Sequence, residues 1–189
     1  MLFRSPWLLF SDTLLRCCPS IVDNKQLITK TVIPAEILPI SVTLSNLVHH
    51  GIGMTILLAV LGIFFKIPVS VFFILIYMPI LLMLALGLGW IVAGLQVFVR
   101  DTSQALQILM FVWWWLTPIM YVMEGSPGRF RRIVQLNPMA TIVTGYRNSL
   151  LGLAQPDMKS VAIVFAASAL IFVIGRSEEH TSELQSRFG

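Results

Sequence analysis

Charge is what this sequence has least of. Of its 189 residues only 12% are Asp, Glu, Lys or Arg, while 57% are apolar, against roughly 25% charged in a soluble domain. That imbalance excludes an ordinary water-soluble fold, and a soluble catalytic domain with it. Cysteine is scarce too. Cys17 and Cys18 stand side by side, and two thiols supply neither a disulfide framework nor the four ligands of a structural zinc site. No G-x-x-x-x-G-K-[ST] occurs, so the chain carries no nucleotide-binding P-loop. The net charge of +4 comes from scattered basic residues, without the dense Lys/Arg patches that follow phosphates, which speaks against a nucleic-acid partner. A secretory signal is also missing, since Met1 to Val22 is broken by Arg4, Asp12 and Arg16 and has no small-residue cleavage site.

Long apolar runs fill the space. A spanning helix needs about 20 apolar residues, and whole or partial spans fall at about 5–22, 42–65, 69–99, 105–123 and 160–175. The pattern predicts an all-α, polytopic membrane helix bundle forming a single domain over residues 1–175. The first span is the poorest and reads as one entered partway. Its Asp12 and Arg16 lie four apart, where they can pair on one helix face; an interfacial amphipathic helix is the alternative. Residues 69–99 carry no charge and would reach about 46 Å as helix, so they must tilt, kink or project beyond a core of about 30 Å. Pro79 is the expected kink. Ala85, Gly89 and Ala93 make a small-residue stripe for helix packing, with Gly87 and Gly94 nearby.

Residues 176–189 do not match the rest. R-S-E-E-H-T-S-E-L-Q-S from Arg176 resembles a reading frame of a sequencing-adapter oligonucleotide, and the segment is expected to be a non-native tail. It ends an apolar run, Ser160 to Gly175, of only about 24 Å, short of a crossing. Without it the balance is 11 Lys/Arg to 6 Asp/Glu, two basic and three acidic residues fewer than the 13 and 9 of the whole.

The connections hold the polar residues. Between Asp23 and Pro39, Leu27, Ile28, Val32 and Ile33 recur at helical spacing, predicting a short amphipathic helix that stops before Pro34. His49 and His50 are adjacent and point about 100° apart on a helix, unlike an i,i+4 metal pair; packed or interfacial imidazoles are the simpler reading. Trp113, Trp114 and Trp115 suit an interfacial belt, but three in succession cover nearly a turn, so at least one should face protein or a pathway. Beyond the turn cluster Gly125 to Gly128, Asn137 is a good N-cap, Pro138 a good first helical residue and Gly152 a good stop. Met139, Ile142, Val143, Tyr146 and Leu150 form one apolar stripe, with Thr141, Thr144 and Asn148 elsewhere around the helix. Too short and polar to span, this helix should lie in the interface or re-enter the membrane shielded by protein.

Four stretches in this order resemble the permease subunit of type-2 ABC exporters, in the branch that moves O-antigen, capsule or teichoic acid. They are P-W-L-L-F-S-D at Pro6 to Asp12, N-K-Q-L-I-T-K-T-V-I-P-A-E-I-L-P at Asn24 to Pro39, V-F-V-R-D at Val97 to Asp101, and T-P-I-M-Y with L-N-P-M-A-T-I-V-T-G-Y-R at Thr117 to Tyr121 and Leu136 to Arg147. The resemblance implies a multi-pass subunit of a bacterial inner membrane. Residues 5–22 would be its second span, 23–39 a cytoplasmic coupling segment and 125–158 an external re-entrant segment, with an N-terminal helix, the first span and the end of the last lying outside the sequence. Arg100, Asp101, Pro118, Asn137, Pro138, Tyr146 and Arg147 fall on its motifs. It also implies a homodimer, a separate ABC ATPase that binds ATP and magnesium, a glycan or glycolipid substrate, and no catalytic residue, cofactor or metal held by this chain.

Asn24, Lys25, Leu27, Lys30 and Pro34 are the candidate ATPase contacts, and Trp113, Trp114, Trp115 and Tyr121 are candidates for the path by residue type and depth. Ile33 departs from the family, which usually has an aromatic there. Lys66, Arg129, Arg131, Arg132, Arg147 and Lys159 fall on the side or segment implied to be external, so positive-inside counting opposes this topology. The rival readings are a drug or small-lipid exporter and a membrane-embedded lipid- or glycan-modifying enzyme. For the enzyme no paired acid/base motif emerges.

Overall fold

The computed structural model describes residues 5–30, 34–64, 69–119, 134 and 136–188, with the side chains at 29, 69 and 178–188 left aside. Among the described residues seven helices follow one another: α1 Ser5–Asp23, α2 Lys25–Lys30, α3 Ile37–Phe64, α4 Ile74–Phe98, α5 Thr102–Leu116, α6 Pro138–Leu151 and α7 Met158–Phe188. A 3-10 turn, Val69–Phe73, leads into α4. No strand occurs among the described residues.

Among the described residues three helical stretches are long and apolar enough to cross a membrane: Ile37–Phe64, Ser70–Phe98 and Met158–Ser177. Their outward sides carry Ile56, Ile63, Phe64, Phe72, Leu75 and Ile163, all well exposed, as a lipid-facing surface requires. The expected bounds shift for local reasons. α3 starts five residues before Val42, because Pro39 falls in its first turn, where a missing N–H costs nothing. α5 starts at Thr102 and stops at Leu116, seven residues short of Met123. Thr117 precedes Pro118 and takes an extended conformation, φ −101° and ψ 130°, which ends the helix. α7 begins at Met158, and its backbone stays helical through Arg176 to Phe188, so the 16 apolar residues are part of a 20-residue candidate span.

Helix α1 is not among the candidate spans; it is the inner post of the bundle. Phe10, Leu14, Cys17 and Cys18 are fully buried, and α3, α4, α5 and α6 all pack on it. Its buried hydroxyls are satisfied inside protein, which is why that side of the helix need not be apolar throughout. The Ser20 hydroxyl donates to Cys17 O at 2.6 Å, and Asn46 Nδ2 on α3 donates to Thr13 Oγ1 at 3.2 Å. On α4, Ala85 and Ala93 are fully buried and Gly89 lies against the Cys17 side chain. The tightest crossing is elsewhere. A Cβ on Gly87 would stand 2.7 Å from Phe172 Cα, and one on Gly175 would strike the Gly87 carbonyl oxygen, so α4 and α7 touch backbone to backbone. Gly94, expected near this packing, has open space beside it.

Direction follows from the contacts. Cys18, near the end of α1, reaches Gln96 and Ser103 at 3.5 Å, so α2 and the α4–α5 turn share one end of the bundle. At the other end the Ser70 hydroxyl of the 3-10 turn donates to Ser149 O of α6 at 2.9 Å.

Candidate functional site

Three places hold chemistry in this apolar bundle. The first is a joint between α5 and α6, built around one side chain. Asn137 caps α6: its Oδ1 accepts from Met139 N at 3.0 Å, and Pro138 follows as the first helical residue. The same oxygen accepts from Trp113 Nε1 of α5 at 2.9 Å, while Nδ2 donates to Thr117 Oγ1 at 3.1 Å. Arg147, three turns along α6, donates from Nη2 to Pro118 O at 2.6 Å and to Ile119 O at 3.2 Å. The carbonyls left over where α5 breaks are thus closed by a charged donor. Tyr146 is fully buried, donates to Met78 Sδ at 3.3 Å, and lies beside the Tyr77 and His50 rings. Burial raises the pKa of its phenol and lowers that of the neighbouring guanidinium. At the far end Gly152 takes φ 66°, and its N–H bonds to Asn148 O, a left-handed stop natural to glycine.

The joint gathers Pro118, Asn137, Pro138, Tyr146 and Arg147, and leaves out Arg100 and Asp101. Those two stand at the start of α5 and are exposed. They contribute backbone carbonyls, from Arg100 to Gln96 Nε2 and from Asp101 to Gln104 N and Ala105 N; neither side chain makes an ion pair with a described residue.

The tryptophans divide. Trp113 packs edge-on against Phe10 at 5.3 Å and lies 6.5 Å from Trp7, and Trp114 lies 5.8 Å from Trp7. Trp115, 63% exposed, stands beside Phe111 on the outer side. Two of the three face protein, as three in succession require. Tyr121 lies outside the described residues, as do Arg129, Arg131 and Arg132.

The second place is a groove of about 650 Å³ between α1 and α3, lined by Leu8, Asp12 and Arg16 on one wall and Asn46, His49 and Gly53 on the other. Asp12 and Arg16 share a face, as their spacing demands, but form no ion pair with each other; both are exposed. His49 and His50 both line the groove; His49 is exposed, while His50 is buried and its Nδ1 meets Ser5 Oγ at 3.1 Å. Among the described residues no group of three His, Cys, Asp or Glu side chains could hold a metal. Spacing alone put Asp12 and Arg16 on one helix face; that they line a groove against α3 needed the fold.

The third place is α2. Asn24 O accepts from Leu27 N at 2.9 Å and Ile28 N at 3.1 Å, and Asn24 Nδ2 donates to Ser20 O at 2.8 Å, which ties the short helix to α1. Lys25, Leu27, Lys30 and Pro34 are exposed, with Leu27 and the half-exposed Ile28 between the two cations.

Residues 21–151, from the last turn of α1 to the end of α6, match the family described as ABC-2 type transporter. The chain belongs to this ABC-2 transporter membrane family. Three relatives are similar over nearly all of it. The O-antigen export system permease protein RfbA of Myxococcus xanthus is 28% identical over 170 residues, covering 88% of this chain and 65% of that protein. Two proteins of that name from Klebsiella pneumoniae are 24% and 22% identical, covering 91% and 90% of the chain and 67% and 66% of their own lengths. The chain therefore spans just under two thirds of the Myxococcus relative. As an ABC-2 family member with three candidate spans it is a multi-pass membrane protein.

Proposed function

We propose that this chain is the membrane-spanning subunit of an ATP-driven exporter that carries a polysaccharide or lipid-linked glycan across a bacterial inner membrane. The family match over residues 21–151, with relatives named as O-antigen export permeases, carries the reading. ATP and magnesium would be bound by a separate ATPase, and this chain would do no bond chemistry.

The exposed α2, tied to the end of α1 by Asn24, suits a docking lever: a push there would be felt by the inner post directly. Two copies would place their α1–α3 grooves along a shared path. Ionisable side chains at membrane depth belong against protein or water rather than lipid, which Asp12, Arg16 and His49 would find there. ATPase closure then shifts the population between inward- and outward-facing arrangements. The candidate path tryptophans Trp113 and Trp114 would support the wall from behind, and Trp115 would stand away from it.

The test is to purify the full-length subunit from intact membranes with its gene neighbours expressed. The expected result is a stably associated P-loop ATPase, weakened by Leu27→Glu, and glycan delivered to the cell surface. Absence of any ATPase, or unchanged surface glycan when the subunit is deleted, overturns the proposal.

A further inference from the structure

At the end of the bundle away from α2, α6 turns a second face toward a cavity of about 350 Å³. Thr141, Thr144 and Asn148 lie at i, i+3 and i+7, one stripe of the helix, opposite the buried stripe of Met139, Ile142, Val143 and Tyr146. All three line the cavity together with Gln155. Their side-chain donors and acceptors make no hydrogen bond with described residues; Thr141, Thr144 and Asn148 are half-exposed on the helix, and Gln155 is exposed in the loop that follows. Four amide and hydroxyl side chains thus turn open hydrogen-bonding capacity toward one hollow, where a polar ligand can take the place of water.

Two other features define the filler. Tyr77, held beneath α6 where Gly145 has no side chain, brings an aromatic ring to the wall; a Cβ on Gly145 would fall inside that ring. Charge at the rim is negative. Asp157 lines the cavity, its Oδ2 accepting the Ser160 hydroxyl at 2.6 Å; no Lys or Arg is among the described lining residues, and Lys159 stands just outside them, close enough to act on the Asp157 carboxylate. Phosphate and other anions are therefore disfavoured. The volume suits a small ligand.

We infer that this cavity binds a neutral, hydroxyl-rich ligand, a sugar unit whose hydroxyls bond Thr141, Thr144, Asn148 and Gln155. It rests on the glycan-export reading and adds to it a subsite within a single subunit, apart from the α1–α3 groove. A glycolipid headgroup and a sugar within a polymer share this chemistry.

The experiment uses the full-length subunit in lipid nanodiscs, with saturation-transfer NMR against a panel of neutral hexose disaccharides, free or lipid-linked. At least one free sugar should give a signal that falls at least fivefold in Thr144→Val/Asn148→Leu, falls in the loop variant Gln155→Ala, and survives 10-fold excess inorganic phosphate. Unchanged signals in correctly folded variants, displacement by phosphate, or no sugar signal from any disaccharide, free or lipid-linked, overturns the subsite; a signal confined to the lipid-linked forms, and lost in the same variants, assigns it to a headgroup. Glycan export by the wild-type complex is measured in parallel. If export and ATPase association stand while sugar binding fails, the subsite alone is wrong; if export fails in the wild type, the functional reading is.

Discussion

The α5–α6 joint and the α1–α3 groove are both polar insertions into an apolar bundle, and they are built in opposite ways. At the joint each polar group meets another: the Asn137 side chain serves four partners and Arg147 two carbonyls. In the groove Asp12 and Arg16 share a helix face without pairing. A polar cluster closed on itself rigidifies a fold, whereas charge left open at membrane depth needs something that comes from outside the subunit. Changes at the joint should therefore cost stability, and changes in the groove should spare it while impairing transport.

Asn137→Ala is the strongest way to break that contrast. It removes a cap worth about 1 kcal/mol and orphans the Trp113 indole for about 1–3 kcal/mol more. Thermal unfolding of the full-length subunit should show a loss of about 2–4 kcal/mol, largely restored in Asn137→Asp; a loss within error would mean the joint is not structural. Gly152→Ala should cost about 1–2 kcal/mol, because a side chain is strained at φ 66°. Trp113→Phe keeps ring packing and loses one donor, for about 1 kcal/mol.

Groove variants Asp12→Asn and Arg16→Gln should each move stability by less than about 0.5 kcal/mol yet lower glycan export severalfold. Export at the wild-type level would remove the distinction between the two regions. The smallest effect concerns Asp157, whose carboxyl pKa lies below its ordinary value, chiefly through the Ser160 hydroxyl and then the Lys159 N–H. A depressed folded pKa gives stability that is present above the unfolded value of about 3.9 and lost as pH falls through the folded one. Amide exchange in the first turn of α7 should therefore quicken as the pH is lowered below about 3.9, and Ser160→Ala should bring the carboxyl pKa back up.

Helix α6 was legible residue by residue. Cap, first-turn proline, apolar stripe and terminal glycine are local signals, and each stands where the sequence puts it. α1 was legible as a helix but not as an inner post, because hydropathy measures composition and its burial comes from neighbours far along the chain. The break at Thr117 was readable from Pro118 alone, yet the apolar run through Met123 outweighed it. The Trp113 bond to Asn137 was beyond reach, since it depends on how the chain returns 24 residues later. The cavity beside α6 was half visible: Thr141, Thr144 and Asn148 already stood off the apolar stripe, but Tyr77 and Gln155 come from other elements.

Gly87 and Gly175 have a mechanical consequence. Where two backbones meet with only hydrogens between them, a turn of α7 by one residue would bring Ile174 or Arg176 into a gap that admits neither. The contact acts as a keyway, locking the rotation and height of α7 to those of α4. In the transport cycle proposed above, these two helices would therefore move as one strut.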